Sequence, residues 1–356
     1  MKQLSLSFCI LLFSLLFCLG ITIFSLPDHT FSDNENRMLK TKADLSHDVI
    51  SGKFQNDLED FLCDQFPCRD ALVTWQTRLK YWTGRQDIGG VYIAADRLFQ
   101  KITDTDVSLK TIGEHVARYA RMGKRANDIP VTAIPVPSAG TVNSSQLPQG
   151  ADMYRFDLVL KTVDENIQGT VIDLRKEFLD NPTYFYKTDH HWTAAGAYRA
   201  YTAWCYVHNI TPFSLDDFTL ADAPEAFFGT LSSKAPGIIT AGDIFQFPTV
   251  SPLTTVNADG NAIPFYDFDA LTAKDKYRFF LCGNHGITTI ENPTCSNGNT
   301  IVIIKDSFAN CLVPYLVPHY KTIVLIDERY AVTDAAALAV DIGANEIAII
   351  KEAAYF

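Results

Sequence analysis

From Leu4 to Leu26 the chain carries no charged residue, and Leu, Phe, Ile and Cys fill the run. A helix of about 20 apolar residues crosses a bilayer, so this stretch predicts a membrane span. No small-residue cleavage site follows it, which favours an uncleaved anchor over a cleaved signal. Lys2 precedes the run, while Asp28, Asp33 and Glu35 follow it, placing the bulk of the chain outside the cytoplasm. Residues 27–48 are polar and irregular and read as a stalk. Apolar residues then recur at helical spacing, first Phe54, Leu58, Phe61 and Leu62, then Leu72, Trp75, Leu79 and Trp82, with Pro67 dividing two helices.

Beyond Gly89–Gly90, Val91 to Phe99 reads as a hairpin or short strand. Residues 107–125 predict an amphipathic helix with Leu109, Ile112, Val116, Tyr119 and Met122 on one face. A buried strand over 129–136, a small-residue loop from Pro137 to Gly140, a helix over 155–167 and a strand over 171–174 follow. Thr193 is placed to cap a helix over 194–207. Residues 209–300 are less regular and read as a β-rich or looped insertion. Regular patterning returns with strands 301–304, 322–326 and 346–350 separated by helices 308–317 and 333–342. Strand alternating with helix is the grammar of a parallel α/β sheet. The expected organisation is a membrane segment over 1–26, a stalk with helices over 27–85, and an α/β domain over 86–356 with an insertion at about 209–300.

The 356 residues are 47% hydrophobic, enough for a large core. The net charge of −11 and the lack of a basic cluster argue against nucleic-acid binding, which needs lysine and arginine against phosphate. Cys9 and Cys18 lie in the apolar run. Of the other six cysteines, Cys282 with Cys295 and then Cys63 with Cys68 are the pairs expected to form disulfides outside the cytoplasm. No Cys-x-x-Cys knuckle suggests zinc.

Two short stretches carry candidate chemistry. Asp189-His190-His191-Trp192 sets two histidines beside a carboxylate, and Lys305-Asp306-Ser307 lies where an apolar strand turns into a helix. Ligands in open α/β sheets bind at the carboxyl ends of strands, where a helix start offers unpaired N–H groups to a developing oxyanion. Ser307 is thus a candidate nucleophile, His191 its base and Asp189 the group that orients His191. The competing reading is that Asp306 or Ser307 only caps the helix. His190 reads as a structural, hydrogen-bonded residue. Two histidines and a carboxylate also form the open iron-binding pattern, although no metal or other cofactor is expected here. Tyr184, Phe185, Tyr186 and Trp192 crowd the motif, available for stacking on sugar rings or for core packing.

These two motifs, with Asn34-Glu-Asn-Arg37, Asp64-Gln-Phe-Pro-Cys-Arg69, Gly90-Val-Tyr-Ile93, Gly283-Asn-His285 and Asp327-Glu-Arg-Tyr330, resemble the bacterial DHHW protein family. That family in turn is similar to the SGNH-hydrolase-like domains of the alginate O-acetylation proteins AlgX and AlgJ. The resemblance implies a three-layer α/β/α fold with a mainly parallel sheet. It also implies a triad of Ser307, His191 and Asp189, with aspartate and histidine before serine, the reverse of ordinary SGNH esterases. Lys305 stands where those enzymes have glycine. Asn310, Ser138 and Asn143 are candidates for the oxyanion role, and His190, Trp192 and Lys305 for contact with substrate.

The function expected is acyl transfer, with Ser307 accepting an acetyl group and passing it to a hydroxyl of an extracytoplasmic polysaccharide. A membrane-bound O-acyltransferase is the partner the resemblance implies as donor. The alternatives are a carbohydrate esterase with the same triad, and a membrane-tethered glycan-binding or assembly protein with a degenerate site.

Overall fold

The structure is a computed structural model that describes residues 2–356, with side chains described from residue 6 onward. The chain divides into two compact units, one formed by residues 1–85 with 233–238, the other by residues 86–232 with 239–356.

The first unit begins with α1, Lys2–Ser25, long and apolar enough to cross a membrane. Its last turn packs on α2, Lys53–Asp64, with the Phe24 and Phe61 rings 5.5 Å apart. The intervening stalk is ordered rather than irregular. Gln65 bonds the backbone of His29 on both its N–H and C=O sides, and Asp64 holds Arg37 and the Lys40 N–H. Pro67 separates α2 from α3, Arg69–Trp82, as the pattern predicted.

The second unit is built on an eight-stranded sheet. In chain order its strands are β1 Val131–Val136, β2 Thr170–Val171, β3 Thr255–Ala258, β4 Asn261–Ile263, β5 Ile287–Glu291, β6 Thr300–Lys305, β7 Thr322–Ile326 and β8 Glu346–Glu352. Their spatial order is β4-β3-β5-β7-β6-β8-β1-β2. The five strands from β7 to β2 are parallel, and β4, β3 and β5 extend the sheet antiparallel from β7.

Side chains alternate across the strands with period two, so β6 serves two cores. Ile301 and Ile303 join α6, Ala194–Val207, and α7, Phe308–Leu316, on one face. Val302 and Ile304 join α4, Leu109–Arg125, α5, Phe156–Ile167, and α8, Ala335–Asp341, on the other. The architecture is three-layered α/β/α with a mainly parallel sheet, as expected.

Residues 209–300 contain the short strands β3, β4 and β5, which extend the sheet itself. One expectation is corrected. The Cys282–Cys295 and Cys63–Cys68 disulfides are not formed, and all eight cysteines are free. Each sulfur of the first pair is engaged locally, Cys282 with the Pro264 carbonyl at 3.4 Å and Cys295 with Asn297 Oδ1 at 3.2 Å.

Candidate active site

β6 lies between two parallel neighbours, and its burial is continuous from Thr300 to Lys305. At its end the chain turns through Asp306 and Ser307 into α7. Asp306 ties this turn down, accepting from the Phe308 N–H at 2.9 Å and from the Glu352 N–H at the end of β8 at 2.7 Å. Ser307 occupies the N-cap position, directly before the first helical residue Phe308, but its side chain caps nothing. Its Oγ instead lies 2.7 Å from His191 Nε2. The capping role belongs to Asp306, which leaves the serine available.

His191 reaches Ser307 because residues 185–192 fold back on themselves. Phe185 bridges Trp192, the Tyr186 N–H donates to the His191 carbonyl at 3.2 Å, and the Thr193 N–H donates to the Tyr184 carbonyl at 2.9 Å. Within this turn Asp189 Oδ1 accepts from the His191 N–H at 2.9 Å and lies 2.6 Å from His191 Nδ1. The two residues therefore share a face, as their i, i+2 spacing predicts. Ser307, His191 and Asp189 form one hydrogen-bonded series.

Asp189 is 1% exposed. Burial alone would raise its carboxyl pKa, but the neighbouring charges of His190 and His191 and the hydrogen bonds from His191 outweigh it, holding the group well below the usual carboxylate range. Its other oxygen accepts from the Thr230 N–H at 2.7 Å and the Thr230 hydroxyl at 3.0 Å. Gly229 permits this approach, since a Cβ there would sit 2.3 Å from Asp189 Cβ. Behind it, buried Thr188 gives its hydroxyl to Asp243 at 2.6 Å, and Asp243 also accepts from the Lys187 and Thr188 N–H groups.

The other sequence candidates divide. Trp192 is fully buried, its Nε1–H donating to the Phe308 carbonyl at 3.0 Å, so it joins the histidine motif to the start of α7. Phe185 and Tyr186 are buried with it. A stacking role on sugar is therefore corrected to a core role for these three. His190 Nδ1 lies 2.9 Å from the Thr230 hydroxyl. The ligand atoms of Asp189, His190 and His191 lie within 4.8 Å of one another, but both oxygens of Asp189 are taken up by His191 and Thr230.

Lys305 is buried, with Nζ 2.8 Å from Asn310 Oδ1, 3.1 Å from Asn284 Oδ1 and 3.4 Å from Asp327 Oδ2. Asn310 is thus engaged by Lys305 and, through its Nδ2, by Asn284 at 3.2 Å. Ser138 caps a short helix through the Thr141 N–H, and Asn143 donates to the Ala139 carbonyl. A cavity of about 370 Å³ opens beside Ser307, bounded by His190, Lys305, Asp306, Arg329, Lys351 and Glu352 among others. His190 and Lys305 border it; Ser138, Asn143 and Asn310 do not.

Sequence reasoning did not single out Thr188, Gly229, Thr230, Asp243 or Tyr277. Tyr277 stacks on the His191 ring with centroids 3.7 Å apart. Apart from Thr188 these lie in the stretch whose pattern was weakest, and no local spacing announces them.

Fold and site together define an α/β protein with a serine, histidine and aspartate in series at the carboxyl end of a central parallel strand. The chain belongs to the DHHW protein family, whose sequence profile matches residues 133–326. A DHHW family protein from Eubacterium siraeum has a similar structure, with a TM-score of 0.62 and 21% identity over 74% of this chain and 91% of its own. Bacillus cereus PatB1, solved with a sulfonyl adduct, gives a TM-score of 0.61 and 19% identity over 74% of this chain and 94% of its own. The O-acetyltransferase domain of Pseudomonas putida AlgJ is more distant, at a TM-score of 0.47 and 14% identity over 75% of this chain and 91% of its own. At these identities the likeness is one of fold. Among curated proteins, none matches the sequence.

Proposed function

We propose that this protein transfers an acyl group, acetyl in the first instance, through Ser307 to hydroxyls of a cell-envelope or secreted polysaccharide. The observation that carries this reading is the 2.7 Å approach of Ser307 Oγ to His191 Nε2, with Asp189 2.6 Å behind the other ring nitrogen. Ser307 Oγ attacks the carbonyl carbon of an acyl donor while His191 takes its proton. Ionised Asp189 stabilises the imidazolium that forms. Collapse expels the donor alcohol or thiol, which leaves with the proton from His191, and an acyl-serine remains. A sugar hydroxyl then gives its proton to His191 and attacks the acyl carbon, and the proton returns to Ser307 as the ester is released. The positive end of the α7 dipole, at whose start Ser307 stands, favours the developing oxyanion.

In this reading residues 1–26 anchor the protein, residues 27–85 form the stalk and residues 86–356 carry the chemistry outside the cytoplasm. The apolar α1 supports the anchoring. A donor must reach the outer side, and a membrane-bound O-acyltransferase is the proposed supplier. The test uses the whole protein in detergent with a chromogenic acetyl ester. Acetate release and an acetyl adduct on Ser307, seen by intact mass and lost in Ser307→Ala and His191→Ala, are expected. Added oligosaccharide should then divert acetyl from water to sugar. A folded protein with neither turnover nor adduct, with this ester and with acylated partner alike, would overturn the proposal.

A further inference from the structure

The helix α3 presents a face that its own unit leaves uncovered. Leu72, Trp75, Leu79 and Trp82 are 51%, 59%, 56% and 65% exposed. Their spacing of three and four residues puts all four on one side of the helix. The Trp75 and Trp82 rings meet edge to face at 5.9 Å. Leu72 also borders an apolar groove of about 700 Å³ between α2 and α3, lined by Leu58, Leu62, Phe66 and Val73, so stripe and groove are continuous. A contiguous apolar surface of this kind on a soluble protein marks something that covers it.

The same unit also holds the membrane-length helix. The last turn of the apolar α1 packs on α2 through Phe24 and Phe61, and Gln65 at the end of α2 clasps His29 just beyond α1. The α2–α3 pair is therefore rooted where the chain leaves the membrane. Tryptophans with an apolar body and a polar N–H concentrate at the headgroup level of bilayers. Of the cations on α3, Arg69 is paired with Glu35 and Asp64 and Arg78 donates to the Gly237 carbonyl, so the placement rests on the tryptophans and leucines, with Lys80 beside them able to meet anionic headgroups. We propose that α3 lies in the bilayer interface, with Leu72, Trp75, Leu79 and Trp82 inserted among headgroups and upper acyl chains. This goes beyond the chemistry proposed at Ser307 and does not depend on it. The membrane contact then consists of a span and an adjoining interfacial helix.

The chain reports on this by itself. It has four tryptophans, and Trp192 and Trp204 are fully buried. Full-length protein is reconstituted into nanodiscs of phosphatidylcholine and phosphatidylglycerol, plain or with acyl chains brominated near the headgroup. Emission should be roughly a third lower in the brominated discs, because interfacial side chains lie within reach of the upper acyl chain. That loss should vanish in a Trp75→Phe/Trp82→Phe double variant, and aqueous iodide should quench Trp75 and Trp82 poorly. Phenylalanine at two exposed positions preserves the helix, and each single variant should lose part of the bromine effect. Equal emission in plain and brominated discs would overturn the proposal. Strong iodide quenching would show a face left in water. Protection from both quenchers would show a face covered by protein, such as a second copy, and would overturn it equally.

Discussion

Tyr277 lies flat against the imidazole of His191, with ring centroids 3.7 Å apart and planes 10° from parallel. The face of a phenol ring attracts a cation, so in the proposed reaction this stacking would favour the imidazolium formed when His191 takes the serine proton. Replacing Tyr277 by Leu removes the ring face and should lower the proposed turnover by roughly 2- to 30-fold, the range of about 0.5–2 kcal/mol for such contacts. The Tyr277 hydroxyl, by contrast, is buried with no hydrogen-bond partner among the described residues. Tyr277→Phe should therefore keep activity and raise stability by about 1 kcal/mol, read as a higher thermal midpoint. A destabilised Phe variant would contradict the assignment of that hydroxyl as unpaired.

Thr230 reaches Asp189 with both its N–H and its hydroxyl. Thr230→Val keeps the first and removes the second. The expected outcome is a fall in kcat of about 10-fold with KM unchanged, because the Thr230 hydroxyl holds the carboxylate that would orient His191. Asp189→Asn should be more severe, on the order of 10⁴-fold, since a neutral amide neither fixes the tautomer nor balances the imidazolium. Steady-state kinetics of the two variants side by side would check the ranking. Equal losses would remove the positioning role from the Thr230 hydroxyl.

Lys305 is a buried cation whose opposite charge is Asp327, itself fully buried and doubly bonded to Arg329. Removing Asp327 leaves that cation unpaired. Asp327→Ala should destabilise the protein by about 3–5 kcal/mol, and Lys305→Met in the same background should recover part of the loss. Urea midpoints of the two single variants and the double variant measure the coupling directly.

Burial also depresses the Lys305 ammonium from 10.5 to about 8, despite the opposing pull of Asp327. Above pH 8 the folded chain loses this proton while the unfolded chain keeps it until about 10.5. The unfolded state then binds more protons, so stability attributable to this residue rises with pH across that window. Below pH 8 both states are protonated and the contribution is flat. Between pH 8 and pH 9.5 wild type should gain about 1.5 kcal/mol relative to Lys305→Met. An unchanged gap between the two denaturation curves would show that Lys305 titrates as an ordinary lysine.

Much of this molecule could be read before it was folded. The apolar runs that became β6, β7 and β8 were legible because each strand is buried on both faces and needs no partner to reveal it. The helix over residues 194–207 and its Thr193 cap followed from composition and a capping hydroxyl, and the structure has both. The pairing of Asp189 with His191 was likewise local, since a turn that closes over two residues brings them to one side. The short β3, β4 and β5 were not legible. Their alternation of Thr, Asn and Ala with a few Val and Ile is a weak signal, and they become strands by docking on β7 and on one another.

The sequence by itself determined the elements, the membrane-length segment and the residue types able to perform acyl chemistry, because periodicity and capping act within a few residues. Only the tertiary structure decided that His191 meets Ser307 across 116 positions. It also decided that Asp306 takes the cap and leaves the serine available, that Trp192 goes to the core, and that Thr230 and Tyr277 attend the histidine motif. Those choices belong to the packing of two helical layers on one sheet. Which side chains meet there depends on how every buried face is covered at once, and no single stretch of the chain carries that information.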